Sequence, residues 1–361
     1  MTIVSDNRPA DVLRALDGPG PVAVVDHRHP HATDLEQRLG QAPPDTWLVA
    51  LTSGSSSSPR LVARTRASWQ ASVDAFAAAT ATTTGTRVLV PGPLSSTLFL
   101  HAAWHARQVG ATLLTDPLDA SSAWDVAHVT PRQLGAMLES AADLTGRTVV
   151  VGGAALHPGT TRLAHDRGVH VIAYYGAAEL SFVAVGTDVL RPFPGAQVAS
   201  RNGVLWVRSP FVCSGYLGTT AAGGPPGSLR RDPDGWATVG DRGQTPPDGS
   251  VVVQGRGDEA VQTGGATVQV ADVEAVVRAA PGVTDVVAFG APHPDLGQVV
   301  VAAVESRTAT VSQLRGWARD GLDRAARPRR WWVVAALPRT AAGKIDRVAT
   351  VRLVTPSNTT E

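Results

Sequence analysis

The first 190 or so residues alternate between short apolar runs and longer segments with helical spacing. Buried strands are predicted for four apolar runs, TWLVALT (46–52), RVLVP (87–91), RTVVVGG (147–153) and VHVIAYYG (169–176). Helices are predicted for three segments between or beside them, at 98–110, 131–141 and 157–167. A regular alternation of strand and helix is typical of α/β proteins with parallel sheets.

The pattern changes after Pro192. Short antiparallel strands with turns are predicted at 203–210 and around 235–249, and a small unit with two helices follows from residue 255. We therefore predict an α/β fold with a large N-terminal domain at 1–254 and a small, mobile α+β C-terminal domain at 255–361. The large domain is expected to hold mixed, mostly parallel sheets with helices, plus a short β-rich lobe.

Composition narrows the functional classes. Hydrophobic residues make up 43% of the 361 residues and charged residues 17%, as in ordinary globular proteins. The net charge of +1 argues against a nucleic-acid partner. The single cysteine, Cys213, excludes an internal disulfide and fits a reducing compartment. No apolar run is long enough for a membrane span and no export signal is evident, so a cytoplasmic location is predicted.

Lys344 is the only lysine among 32 basic Lys and Arg side chains, and it lies in the segment PRTAAGKIDR. An ammonium group is a compact charge that can approach several oxygens in a crowded site, whereas a guanidinium is a broad planar fork. Lys344 is therefore a candidate catalytic cation. Chance survival of one lysine in an arginine-rich sequence is the alternative explanation.

Three further segments contain candidate chemistry. LTSGSSSSPR (51–60) combines hydroxyls, a glycine and a cation after a strand, which suits a polyphosphate, although a flexible serine-rich linker has the same composition. YYGAAE (174–179) offers a ring for a base and a carboxylate for Mg²⁺, or only a strand end. VGDRG (239–243) offers an aspartate for ribose hydroxyls, or only a turn.

In their order and spacing these segments resemble the motifs of the adenylate-forming superfamily, which includes acyl-CoA and aryl-CoA ligases. LTSGSSSSPR is similar to its phosphate loop, YYGAAE to its YGx[S/T]E segment, and WATVGDRG to its TGD segment. GVLWVRSPFVCSGYL resembles its strand segment that ends in Gly-Tyr, GRGDEAVQTGG its hinge, and PRTAAGKIDR its C-terminal PxTxxGKxxR. In layout the chain looks like a short acyl-CoA ligase, similar to fatty-acid–CoA ligases and bacterial o-succinylbenzoate–CoA ligases.

The resemblance implies an ATP-dependent ligase that adenylates a carboxylic acid and passes the acyl group to coenzyme A. Fatty or aryl acids are the expected substrates, ATP, Mg²⁺ and coenzyme A the expected cofactors and co-substrates, and a homodimer or a carrier protein the expected macromolecular partner, if there is one. It also implies a cycle in which the small domain turns about Asp258. Lys344, Glu179 and Arg60 would be catalytic, with Glu179 holding Mg²⁺. The implied nucleotide and coenzyme A contacts are Thr52, Ser53, Gly54, Ser55, Ser56, Gly153, Tyr175, Gly176, Ala178, Asp241, Arg256, Gly264 and Gly265.

The chain also departs from the family pattern. Ser57 replaces a usual glycine, Ala178 a usual hydroxyl residue, and Ser96 a usual histidine, and the N-terminal part is short. Two alternatives therefore remain: an adenylating enzyme that loads a carrier protein or an amine, and a non-catalytic nucleotide-binding subunit. The wall of the acid pocket is expected to come from a mostly apolar set, namely Leu98, His101, Trp104, Ala154, Ala177 and Phe182.

Overall fold

The structure is a computed structural model of the 361-residue chain. It describes residues 2–27, 35–52, 60–115, 123–156, 158–217, 229–256, 260–263, 266–293, 296–341 and 343–355.

The first half of the chain forms eleven of the strands and seven of the helices found in the described residues. The strands are β1 (Thr2–Ser5), β2 (Val22–Val25), β3 (Leu48–Thr52), β4 (Arg60–Arg64), β5 (Arg87–Leu89), β6 (Thr112–Leu114), β7 (Val126–Val129), β8 (Thr148–Val151), β9 (His170–Ala177), β10 (Ser181–Gly186) and β11 (Arg191–Pro192). The helices are α1 (Pro9–Asp17), α2 (Leu35–Leu39), α3 (Arg66–Gln70), α4 (Val73–Thr80), α5 (Thr97–Gln108), α6 (Pro131–Glu139) and α7 (Pro158–Asp166).

The remaining elements are mostly strands. They are β12 (Gln197–Arg201), β13 (Val204–Arg208), β14 (Gly215–Tyr216), β15 (Arg230–Arg231), β16 (Ala237–Thr238), β17 (Asp241–Gln244), β18 (Val252–Arg256), β19 (Ala260–Thr263), β20 (Ala266–Gln269), α8 (Val270–Arg278), β21 (Val283–His293), β22 (Gly297–Ser306), α9 (Val311–Gly321), β23 (Arg330–Val334) and α10 (Arg347–Val354).

Two sheets carry the parallel strands predicted for the large domain. The first has the order β1-β2-β3-β4-β14, in which β1, β2 and β3 are parallel and β4 and β14 are antiparallel additions. The second has the order β11-β10-β9-β8-β7-β5-β6, parallel from β9 to β6. All four residues of β7 are buried, as expected for a parallel strand that is covered on both faces.

The β-rich lobe is a third sheet, with the order β15-β16-β13-β17-β18 and β12 paired to β13. Its pairings β12–β13 and β13–β16 are antiparallel, as the change of pattern after Pro192 predicts. The fourth sheet has the order β20-β19-β22-β21, with β23 parallel to β22 and helices α8, α9 and α10 in the same part of the sequence. The mixed α/β fold class is thus confirmed.

Local sequence explains where several helices begin. Thr130 precedes α6 and accepts a hydrogen bond from the backbone N–H of Gln133, whose side chain bonds back to the backbone of Thr130. Thr310 and Gln313 make the same reciprocal pair at α9. This capping box satisfies two N–H groups that have no partner within the helix. No helix in the described ranges is long and apolar enough to cross a membrane.

The chain separates into two compact units. One comprises residues 1–239, 243–253 and 341–343, and the other comprises 240–242, 254–340 and 344–361. The first unit has several hydrophobic cores, the largest of which contains Trp47, Trp69, Phe76 and Trp104. The second is centred on apolar residues of α8, β21 and β22. Each unit therefore has a core of its own, as independent domains do.

Candidate active site

The serine-rich segment of the predicted phosphate loop joins two paired strands. Thr52, the last residue of β3, stands opposite Arg60, the first residue of β4. The two ends of the loop are therefore held side by side by the β3–β4 pairing. Ser53, Gly54, Ser55 and Ser56 lie outside the described residues, as does the side chain of Thr52.

Glu179, the predicted Mg²⁺ ligand, lies in the tight turn between β9 and β10 and is buried. The Leu180 N–H donates to the Ala177 carbonyl across this turn. The hydroxyl of Tyr216 donates to Glu179 Oε1 over 2.7 Å and accepts a hydrogen bond from the Leu229 N–H. One carboxylate oxygen is thereby fixed in direction by a tyrosine from the neighbouring sheet.

Arg60 approaches the same tyrosine through its ring. Its guanidinium carbon lies 5.9 Å from the centroid of the Tyr216 ring, within the range of a cation–π contact. Arg60, Tyr216 and Glu179 therefore form a continuous chain of contacts, which links the end of the phosphate loop to the predicted metal ligand. Burial and the Glu179 carboxylate raise the pKa of Tyr216, so its hydroxyl keeps its proton and remains a donor.

Arg64 is a buried residue that bonds to backbone carbonyls next to Glu179 and in the segment before Tyr216. It is 1% exposed, and its Nε and Nη2 atoms donate to the Ala178 carbonyl over 3.0 and 2.8 Å. Its Nη1 donates to the Phe211 carbonyl and to Ser68 Oγ. Burial lowers the pKa of Arg64 to about 10, which leaves it charged at neutral pH, while Cys213 and Glu179 act in the opposite direction. Cys213 is buried, as a core cysteine is expected to be.

The sequence motifs gave no role to Arg64 or Tyr216. Tyr216 belongs to the segment that ends in Gly-Tyr, and a signal for Arg64 was present in its position: it is a charged residue at the end of the apolar strand RLVAR. Ala178 has a role that its missing hydroxyl does not suggest. Its carbonyl is the acceptor of Arg64, and its methyl group packs in the cluster of Ala50, Val62 and Cys213.

Gly153 and Tyr175 lie at neighbouring strands of the second sheet. Val151 pairs with Ala173 in the parallel register of β8 and β9, so both residues lie just beyond this pair, at the carboxyl ends of β8 and of the parallel part of β9. Ligands of α/β proteins bind at this edge of a sheet. Gly153 is exposed with φ +90°, a conformation that favours glycine. A side chain at Gly176 would collide with the Ser181 carbonyl, so that glycine is required by strand pairing.

Glu179 suits a magnesium ion in its donor chemistry. Mg²⁺ takes oxygen ligands, keeps several waters and uses one or two carboxylates together with phosphate oxygens. Tyr216 donates to Oε1, and an ionised carboxylate accepts at both oxygens. Glu179 would hold the ion through its carboxylate, with Tyr216 fixing the direction of that group. Such an ion would supply positive charge to the pyrophosphate leaving group.

Asp241 is the first residue of β17 and is buried, and the preceding Gly240 has φ +83°. Arg256 is the last residue of β18, and its side chain lies outside the described residues. Asp258, Gly264 and Gly265 also lie outside them. The ribose, hinge and pantetheine roles of these residues remain predictions.

Lys344 lies in a short hairpin whose paired arms, 338–340 and 344–346, belong to the second unit. The Thr340 N–H donates to the Lys344 carbonyl over 2.7 Å, the Asp346 N–H donates to the Pro338 carbonyl over 2.8 Å, and Arg339 and Ile345 form a β-bridge. Lys344 is half-buried and follows Gly343, which has φ +77°. Asp346 then caps α10 by accepting from the Ala349 N–H. The lysine therefore stands on a closed turn immediately before a helix.

The residues expected to line the acid pocket divide into two groups. Leu98, His101, Trp104 and Phe182 are buried with Phe76 in the largest core of the first unit. The ring of His101 contacts that of Phe182 at a centroid distance of 4.8 Å. Ala154 is exposed and Ala177 packs in a separate cluster.

Comparison with known proteins defines the class. The model of the AMP-binding enzyme C-terminal domain matches residues 272–344. An uncharacterised acyl-CoA ligase of Bacillus subtilis, YhfT, is 25% identical over 96% of this chain and 72% of its own length. The 2-succinylbenzoate–CoA ligase of Escherichia coli is 29% identical over 62% of this chain, which spans about half of that relative (49%).

Two solved structures have the same fold. A single-substitution variant of Escherichia coli MenE with bound OSB-AMS superimposes with a TM-score of 0.82 at 23% identity, over 98% of this chain and 87% of that one. The amide bond synthetase McbA of Marinactinospora thermotolerans superimposes with a TM-score of 0.73 at 26% identity, over 98% and 79%.

The fold and the matched C-terminal domain support an AMP-binding enzyme with a small C-terminal domain. The matched C-terminal domain and the ligase relatives make the chain similar to the adenylate-forming superfamily and, within it, to acyl-CoA ligases. The family resemblance given by the sequence motifs is thus confirmed, and so is the class of AMP-forming CoA ligase.

Proposed function

We propose that this chain is an ATP-dependent acid–thiol ligase acting on a fatty or aryl acid. A carboxylate oxygen of the acid attacks the α-phosphorus of ATP, and the bond to pyrophosphate breaks. The thiol of coenzyme A, having lost its proton, then attacks the carbonyl carbon of the acyl-adenylate and displaces AMP. The observation that carries this proposal is the contact chain of Arg60, Tyr216 and Glu179 at the end of the phosphate loop.

The residues divide the work of the first step. Arg60 and the serine-rich loop bind the β- and γ-phosphates, and Glu179 would hold the Mg²⁺ that supplies positive charge to them. Lys344 stands between the carboxylate and the α-phosphate, where a cation offsets the repulsion of two anions and stabilises the charge that develops in the transition state. Asp241 and Arg256 bind the ribose, and Gly153 and Tyr175 frame the adenine.

In this proposal the small domain changes position before the second step. The small domain turns about Asp258, withdraws Lys344 and brings the segment of Gly264 and Gly265 to the pantetheine arm. A turn of this kind separates the cation needed for adenylation from the groups needed for thioester formation. The relatives named 2-succinylbenzoate–CoA ligase and acyl-CoA ligase support coenzyme A as the acceptor.

An amine acceptor is the second candidate, because the similarity to an amide bond synthetase covers 98% of this chain. Carrier-protein loading belongs to the same alternative. All these acceptors share the first step, so they differ only in the product formed from the acyl-adenylate.

The test is a screen for acid-dependent pyrophosphate release from ATP and Mg²⁺ over fatty, aryl and dicarboxylic acids, with 2-succinylbenzoate included. Products are then identified by mass spectrometry with coenzyme A, a carrier protein bearing its pantetheine arm, or a set of amines present. An acyl-CoA product supports the proposal. An amide or an acyl-carrier product would show instead that the acceptor is an amine or a carrier protein. No acid-dependent pyrophosphate release with any acid refutes the proposal and favours a nucleotide-binding subunit.

A further inference from the structure

The hairpin that carries Lys344 is tied at both ends to one network of ion pairs. The network alternates basic and acidic side chains and links residues of α8, β21, β22, the hairpin and α10 within the second unit. Its members, in order of contact, are Arg347, Glu274, Arg278, Asp285, Arg339 and Glu305.

Arg347 forms the end that follows the lysine. Its Nη1 lies 2.7 Å from Glu274 Oε1, and its Nη2 donates to the Ala288 carbonyl over 2.9 Å. Glu274 is 8% exposed and also accepts from the Ala288 N–H over 2.8 Å. Arg347 therefore binds one acceptor on α8 and another on β21 at once, a fork that a single ammonium group does not reproduce.

Arg339 forms the end that precedes the lysine. Its Nη2 lies 2.9 Å from Glu305 Oε2 and 3.4 Å from Asp285 Oδ2. The same Glu305 oxygen accepts from the Leu337 N–H over 3.0 Å. Arg278 closes the chain of contacts, at 3.2 Å from Asp285 and 3.9 Å from Glu274.

The network fixes the positions of the two ends of the hairpin relative to α8, β21 and β22. Its acids are mostly shielded from water, with side-chain exposures of 10% for Glu274 and 8% for Glu305. Removing one partner of a buried ion pair is strongly destabilising, because the other charge is left uncompensated. Lys344 lies five residues from Arg339 and three from Arg347 in the sequence. A displacement of about 1 Å at a reacting group can cost about 100-fold in rate.

From this geometry we infer that Arg347 and Arg339 are positioning residues for Lys344, acting through Glu274 and Glu305. The inference rests on the proposed function, since it concerns the cation of the adenylation step. Arg347 sets the direction of the chain leaving the hairpin, and Arg339 sets the direction of the chain entering it.

The test compares two half-reactions in Arg347→Gln and Arg347→Lys. Adenylation is measured as pyrophosphate released in a single turnover, and thioester formation is measured from preformed acyl-adenylate and coenzyme A. Arg352→Gln is the matched control, because Arg352 is an exposed arginine on the same helix. Thermal unfolding of each variant is recorded, and all rates are taken where the protein is folded.

We expect Arg347→Gln to slow adenylation by about 10- to 100-fold, with the KM for ATP within about 3-fold and thioester formation within about 3-fold. Arg347→Lys should recover part of the loss, because it restores the charge next to Glu274 but not the second hydrogen bond. Glu274→Gln should resemble Arg347→Gln, and Arg352→Gln should resemble the wild type.

Three results would overturn the inference: equal slowing of both half-reactions by Arg347→Gln, no slowing of either, or the same effect from Arg352→Gln. Each of these requires a wild-type enzyme that adenylates an acid. If the wild type releases no pyrophosphate with any acid, the proposed function has failed instead, and the two failures are thereby distinguished.

Discussion

Acidification should destabilise the first unit through histidines that the fold keeps uncharged. His105 and His128 lie in the core around Phe76, at ring centroid distances of 5.0 and 5.6 Å from it. Burial lowers the pKa of His105 to about 4 and that of His128 to about 3, with the charge of His105 adding to the effect on His128. Burial also places the pKa of His101 well below its usual range.

The sign follows from which state binds more protons. Below about pH 6.5 these histidines are protonated in the unfolded chain but stay neutral in the fold, so stability rises with pH in this window. The contribution of these histidines to the free energy of unfolding is fully present above their pKa in the unfolded chain. It is lost as the pH falls toward their pKa values in the folded protein. At about pH 4.5 each of His105 and His128 should have cost about 2–3 kcal/mol of stability, and His101 adds to this loss. Loss on that scale is comparable with the whole stability of many domains.

The assay is urea unfolding followed by tryptophan fluorescence at about pH 7.5 and about pH 4.5. Trp69 and Trp104 report on the core that surrounds the histidines. His128→Leu should reduce the pH-dependent loss by roughly a third, because it removes one of the three buried histidines with a lowered pKa. It should cost little at neutral pH, since Nε2 of His128 has no hydrogen-bond partner among the described residues.

The exposed His165 supplies the matched control, and His165→Leu should leave the pH dependence unchanged. The reasoning is refuted if wild type and His128→Leu lose the same stability on acidification. It is also refuted if His165→Leu flattens the dependence as much as His128→Leu does.

Two further substitutions probe the Glu179 site. Tyr216→Phe removes the donor to Glu179 Oε1 and should cost roughly 1.5–3 kcal/mol of stability, with weaker Mg²⁺ activation of pyrophosphate release; an unchanged Mg²⁺ dependence would contradict the role given to Tyr216. Arg64→Met leaves the Ala178 and Phe211 carbonyls without their donor and should destabilise the first unit by about 2–6 kcal/mol in urea unfolding, about 1–3 kcal/mol for each unsatisfied carbonyl; a loss below about 1 kcal/mol would show that Arg64 does not hold the turn.

Much of the fold could be predicted from local pattern, because a strand or a helix leaves its period in a few neighbouring residues. The run TWLVALT contains β3, and the segment 98–110 contains most of α5. The elements of the first 45 residues were not predicted. β1 and β2 are only four residues each, and runs of that length do not separate strand from loop.

The candidate site could be predicted only in part. Motif order identifies a candidate phosphate loop, Glu179 and Lys344, which lie on segments that can be read locally, and their roles remain predictions. Tyr216 and Arg64 could not be assigned in this way, because they meet Glu179 and Ala178 across 37 and 114 residues of sequence. Contacts of that range depend on how sheets pack, and one sequence does not state it. The partners of Arg347 could not be predicted for the same reason, since Glu274 lies 73 residues away in the sequence.

Lys344 is the residue on which the proposed adenylation step depends most, as its cation. The most direct measurement is the rate of both half-reactions in Lys344→Ala. Loss of one such donor is worth about 3–4 kcal/mol, so acid-dependent pyrophosphate release should fall by about 100- to 1,000-fold. Thioester formation from preformed acyl-adenylate and coenzyme A should continue at nearly the wild-type rate. Equal loss of both half-reactions, or adenylation at the wild-type rate, would contradict the role assigned to this lysine.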